Sequence, residues 1–121
     1  MILITRRDLH PGAQGAQLVH AGKQFQKEHE VVQNDWYFKS NHIVLLSCEN
    51  EKSLQELLFK AKTRSILCSA FTEPDFNDAL TAIALEPSEE AQKLTSNLPL
   101  AFREYTTAFQ NFHGKEVAGG K

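Results

Sequence analysis

Four short apolar runs, separated by segments of helical or turn character, constrain this chain more than any other feature. They are MILIT at residues 1–5, HIVLLSC at 42–48, ILCSAF at 66–71 and ALTAIAL at 79–85. The first is β-branched and nearly continuous, so it reads as a strand buried on both faces. The second is again apolar throughout, and the third and fourth also read as strands. A sheet covered on both sides needs helices above and below it. Between the first two runs, a helix is expected from about Pro11 to about His29. At about 100° per residue, Leu18, Ala21, Gly22 and Phe25 fall on one face of it. Pro11 suits a first helical turn, and Asp8 can accept backbone N–H groups near that start.

The remaining segments fill in the pattern. Residues 30–41 read as a connection with a short helical piece and an aromatic anchor at Trp36. Residues 49–65 form an amphipathic helix with Leu54, Leu57, Leu58 and Ala61 as its buried stripe. TEPDFND, residues 72–78, breaks the chain with Pro and Asp/Asn turn chemistry. Ser88 is an N-cap for the next helix, with Glu89 and Glu90 complementing its dipole. A further helix is expected from Pro99 to Phe112, and the polar, Gly-rich end is read as a disordered tail. The turn between the third and fourth runs is too short for a crossover helix, so that pair should be antiparallel within a largely parallel sheet. The fold class is therefore α/β: three layers, with a mixed four-stranded sheet and helices on both faces. One domain is expected over residues 1–110, with a flexible tail at 111–121.

Composition excludes several functions. The 121 residues are 41% hydrophobic and 23% charged, as in an ordinary globular domain. No run is long and apolar enough for a membrane span, and the amino-terminal run is too short for a signal peptide. A cytoplasmic protein is expected. Cys48 and Cys68 sit in apolar contexts and form no CxxC pair, which reads as two buried thiols. The net charge of −2 argues against a strongly basic nucleic-acid binder. Arg6, Arg7, Lys23 and Lys27 can still converge in a local basic patch.

The first helix carries the candidate chemistry. Gln17, His20 and Gln24 occupy an arc about 60° wide beside the face set by Leu18 and Phe25. Such a stripe is either a cleft edge or the polar boundary of an ordinary helix. An imidazole can act as acid or base, which makes His20 a candidate. Asp8 can orient it, or can cap the helix. Glu73 and Asp75 follow the third strand, where loops often form a ligand crevice, and they read equally as solvated turn residues. No spacing of histidines points to a metal, PGAQGAQ is neither a P-loop nor a dinucleotide fingerprint, and no serine lies in a GxSxG context. No metal or cofactor is expected.

RRDLHPGAQGAQLVHAG resembles the opening of the peptidyl-tRNA hydrolase 2 family. Arg6, Asp8, Leu9, Gly12, Ala16, Gln17, His20 and Ala21 follow its Arg-x-Asp-Leu loop and Ala-Gln-x-x-His-Ala helix in order. LTAIALEP at 80–87 resembles its Thr-Val-x-Ala-Ile-Gly-Pro strand, and LTSNLPLAF its closing segment. The resemblance implies a mixed four-stranded sheet between helices and metal-independent cleavage of the ester joining a peptide to tRNA. Two family positions differ: the lysine falls on Ala13, and the aspartate, aligned without gaps, on Ser69.

The resemblance leaves two readings. In the first, the chain is a divergent hydrolase of peptidyl-tRNA or a related acyl ester. His20 is then the base toward water, oriented by Asp8. Arg6, Gln17 and Gln24 bind substrate, and Glu73 or Asp75 replaces the lost carboxylate. In the second, the scaffold is a non-catalytic module that binds a small ligand or a protein, including a second copy of itself as a homodimer.

Overall fold

A computed structural model of the chain describes residues 1–103. Strand β1 is Ile2–Arg6, helix α1 Pro11–Glu28, α2 Glu30–Lys39, β2 Val44–Cys48, α3 Glu51–Thr63, β3 Cys68–Glu73, β4 Ala79–Leu85 and α4 Glu89–Leu94. The sheet order is β2-β1-β4-β3. The two central strands are the most completely buried of the four, as cover on both faces requires. Ile4, Ile83 and Leu85 are fully buried.

The sheet is mixed, but not largely parallel as expected. Only β1 and β2 pair in parallel; β4 is antiparallel to both β1 and β3. The reason is the tight turn after β3, which sends β4 back between β3 and β1. The turn is a 3-10 piece, Pro74–Phe76, followed by Asn77 and Asp78 with φ of 55° and 58°. Asn and Asp tolerate that left-handed backbone best among residues with side chains.

Two cores flank the sheet. On one side α3 and α4 pack Leu54, Ala61 and Ala91 against Ile2, Ile4, Leu46, Ile83 and Leu85. On the other, α1 and α2 pack Leu18, Ala21, Phe25 and Trp36 against Leu3, Ala82 and Ala84. The small residues Ala82 and Ala84 on the α1 side let that helix lie close to the sheet.

Three of the four helices carry a side-chain cap, and that of α4 is the expected Ser88. Asn50 accepts from the Ser53 N–H at the start of α3, and Ser88 from the Ala91 N–H at the start of α4. At α1 the cap is His10, whose Nδ1 accepts from the Gly12 N–H at 3.3 Å. Asp8 does not cap; Arg6 holds its carboxylate instead. The expected short helical piece at 30–41 is a full ten-residue helix anchored by Trp36, whose Nε1 donates to the His42 carbonyl.

A helix from Pro99 is not what begins there. Pro99–Ala101 runs along the outer edge of β2, with Ser47 N–H donating to Pro99 and Ala101 N–H to Leu45. This covers part of an edge that would otherwise leave backbone groups unpaired. The remainder of that expected helix and the expected tail lie outside the described residues.

Truncating Leu54, which is fully buried, should cost about 2–5 kcal/mol through lost burial and the cavity left behind. The shift in the urea midpoint of Leu54→Ala measures it, and a loss below 1 kcal/mol would contradict this packing. Burial also pushes the Cys48 thiol up to about 11. Since the thiolate is the nucleophile, native protein at pH 8 should alkylate at Cys48 far more slowly than unfolded chain. Equal rates, read by peptide mass mapping, would refute this.

Candidate active site

The site is built on an irregularity in the sheet. Phe71 faces Ala82 across the β3–β4 ladder, yet the next residue, Thr72, faces Leu80. Thr81 is therefore an extra residue, a β-bulge. The bulge reverses the strand's alternation, so Leu80 packs on the α3 side together with Ile83.

Backbone groups freed at such a defect need partners. Side chains supply them here. The β1–β4 ladder ends with Thr5 opposite Ala82. Beyond it, Thr5 Oγ1 donates to the Thr81 carbonyl at 2.8 Å. The Leu80 carbonyl accepts from Arg6 Nη1 at 3.2 Å, and the Leu80 N–H donates to Glu51 at 2.9 Å.

On the α1 side, the bulge presents a hydroxyl. Thr81 Oγ1 donates to Gln17 Oε1 at 2.6 Å. The other end of the same amide, Nε2, donates to Glu73 Oε1 at 2.9 Å. Both Thr81 and Gln17 are buried. The amide orientation is thus fixed by its partners: a hydroxyl donor on one end and a carboxylate on the other. The second Glu73 oxygen accepts from the Asp75 N–H at 3.3 Å. These contacts hold the Glu73 carboxyl below its ordinary value. Gln17 is the largest cause, followed by the Asp75 N–H, and the nearby His20 adds to them.

His20 lies exposed on α1, and its ring stacks on Phe71 with centroids 4.5 Å apart and planes 9° from parallel. One turn further along, Gln24 Nε2 donates to Glu28, whose other oxygen accepts from the buried Ser69 hydroxyl at 2.6 Å. The Glu28 carboxyl is held low, first by Ser69 and then by Gln24. The stripe on α1 therefore runs down the length of β3. Gln17 meets Glu73, His20 meets Phe71, and Gln24 reaches Ser69 through Glu28.

Gln17, His20 and Glu73 lie together at this end of β3. Asp8 does not join them. Its two carboxylate oxygens each accept from Arg6 at 3.0 Å, and Arg6 follows the parity of Ile2 and Ile4, toward α3. From Pro11 to His20 the helix also rises about 13 Å, which carries the imidazole away from the loop. Arg6 supports the bulge through Leu80, so its donors are engaged within the protein. Asp75 offers its backbone N–H rather than its carboxylate. Gln24 lies at the edge, tied to Glu28.

Thr81 and Glu28 were missed. Thr81 sits inside an apolar run and reads as core, whereas Phe71 falls where the resemblance puts a glycine and is the side chain whose place in the pocket favours the binding module. The polar hydroxyl in ALTAIAL was the one available signal of a defect. Among the described residues, no three His, Cys, Asp or Glu side chains gather as a metal site would need.

A family model, Peptidyl-tRNA hydrolase PTH2, matches residues 1–101. No curated protein matches the chain.

Replacing Gln17 by leucine removes the main donor to Glu73 at nearly constant volume. Glu73 in Gln17→Leu should titrate closer to the ordinary carboxylate value of 4.5. A depressed carboxyl stabilises the fold above its unfolded value, and that contribution is lost as pH falls through the folded value. The stability advantage of the wild type should therefore shrink as pH falls below about 4.5. Carboxyl-carbon NMR titration checks the shift; an unchanged Glu73 midpoint would remove Gln17 as its cause.

Proposed function

The chain belongs to the peptidyl-tRNA hydrolase PTH2 family, and from that premise we propose that it hydrolyses the ester of peptidyl-tRNA or a closely related acyl ester, with His20 as general base. The observation that supports this is the link from Thr81 through buried Gln17 to Glu73. Two buried polar groups hold one surface carboxylate next to an imidazole whose plane is set by Phe71.

His20 takes a proton from water as the water oxygen attacks the acyl carbonyl. The tetrahedral intermediate collapses by breaking the bond to the ribose oxygen, which recovers the proton from the imidazolium. An ionised Glu73 beside the ring stabilises the positive charge that His20 carries between those steps. Glu73 thus replaces the carboxylate that the family resemblance put at Ser69. Gln17 is a positioning residue, and Arg6 and Asp8 act through Leu80 and the bulge. The expectation of a cytoplasmic protein working on translation products goes with this reading.

Ala13 in the lysine position supports the second reading, a non-catalytic binding module. A single donor to a developing oxyanion contributes about 10²–10³ in rate, and the family's lysine is replaced by Ala13, which has no polar side chain. The hydrolase reading therefore carries a slow chemical step.

Single-turnover hydrolysis of a model peptidyl-tRNA separates the two. Wild type should release peptide above background. His20→Ala should lose about 10²–10⁴ of that rate, and Glu73→Gln should lose a smaller part. Turnover no faster than background in wild type would sink the hydrolase reading, and equal rates in wild type and His20→Ala would remove His20 as base.

A further inference from the structure

We propose that Lys23 and Lys27 form a subsite for the RNA backbone phosphates of the substrate, placed beside His20 on α1. This rests on the hydrolase reading for its ligand but on different residues for its geometry. Taking His20 as the origin, Lys23 lies about 60° and Lys27 about 20° around the helix, about 4.5 and 10.5 Å along the axis. The two ammonium groups therefore continue the exposed line on which His20 sits, toward the end of α1.

A concave surface accompanies them. Lys23, Gln26 and Lys27 of α1, with Glu30 and Asn34 of α2, line a groove of about 400 Å³. Neither lysine forms an ion pair among the described residues, where the two ion pairs are Arg6–Asp8 and Lys39–Asp35. The neighbouring acid Glu28 has its oxygens turned to Ser69 and Gln24. Two cations, two amides and one carboxylate then face the groove, and its local charge is positive on a chain whose net charge is −2. A positive groove on an acidic protein selects where a polyanion lands, and phosphate contacts give position without reading sequence. The basic patch expected from four residues thus reduces to these two, because Arg6 is closed by Asp8 and Arg7 lies on the loop before α1.

A second groove provides the control. Lys52 and Lys60 line it on α3 with Gln55, Glu56 and Phe59. That helix packs on the opposite side of the sheet from α1.

The test is binding of deacylated tRNA to the full chain across 50–200 mM salt, for wild type, Lys23→Ala/Lys27→Ala, Lys23→Arg/Lys27→Arg and Lys52→Ala/Lys60→Ala. Each phosphate contact contributes about 0.7–0.9 to the slope of log affinity against log salt. The first pair should lower that slope by about 1.4–1.8 and weaken binding at low salt. Arginine should restore both, and the α3 pair should match wild type. Wild-type slope and affinity in Lys23→Ala/Lys27→Ala would overturn the subsite while leaving the hydrolase reading standing. A wild type that does not bind tRNA would overturn the subsite as well. A reduced slope in Lys23→Ala/Lys27→Ala, beside a wild type that binds tRNA but does not hydrolyse peptidyl-tRNA, would support the subsite and sink the hydrolase.

Discussion

The buried amide of Gln17 ties this structure together. An amide removed from water costs free energy unless both its ends find partners. Here one partner comes from a bulge in β4 and the other from the end of β3. The requirement fixes three things at once. α1 must be rotated so that Gln17 enters the sheet side, which also carries Leu18, Ala21 and Phe25 into the core. β3 must reach Glu73, and β4 must keep its extra residue at Thr81. A slip of β4 by one position would reverse its side chains, removing the hydroxyl and placing Ile83 and Leu85 against the wrong helices. Core and site are two readings of one register.

The opposite face of the sheet supports the same point. Arg6, Asp8 and Glu51 look like surface charges in the sequence, but two of them hold the backbone of Leu80 and the third orients Arg6. An exposed ion pair by itself contributes little. This pair matters because it presents a guanidinium donor to a carbonyl that has lost its ladder partner. The Arg6 group is only 14% exposed, so water is a poor substitute for it.

What was legible in the sequence was local. ALTAIAL predicts a strand at 79–85, which is where β4 lies. Ser88 and the leucine stripe of α3 also act where their patterns indicate, because capping and helical periodicity involve neighbours in the chain. The insertion of β4 beside β1 depends on pairing between residues some eighty apart, and no local pattern encodes it. The same limit misled the reading of the site. Asp8 and His20 seem natural partners by type, but Arg6 is two residues from Asp8 and claims it first. Phe71 reads as a side chain able to fill the pocket, but its stacking on His20 depends on the packing of α1 over β3, which no local pattern gives. A bulge has almost no sequence signal, beyond one threonine in an apolar run.

The division of labour at the site bears on its chemistry. Three of the polar residues that carry the family pattern, Arg6, Asp8 and Gln17, hold other parts of the protein in place. The groups left facing solvent are His20, stacked on Phe71, and the Glu73 carboxylate. On the hydrolase reading, these contacts supply positioning while electrophilic assistance is thin, with Ala13 where the resemblance puts a lysine. In such an arrangement, binding of remote parts of a substrate has to offset what the reacting centre lacks, since contacts far from the scissile bond can supply orientation and strain there. Small esters give no such contacts, and a long polyanion does. The balance between a weak chemical centre and an extended basic groove on the same helix thus favours a large RNA-borne ester over a small one, on the hydrolase reading.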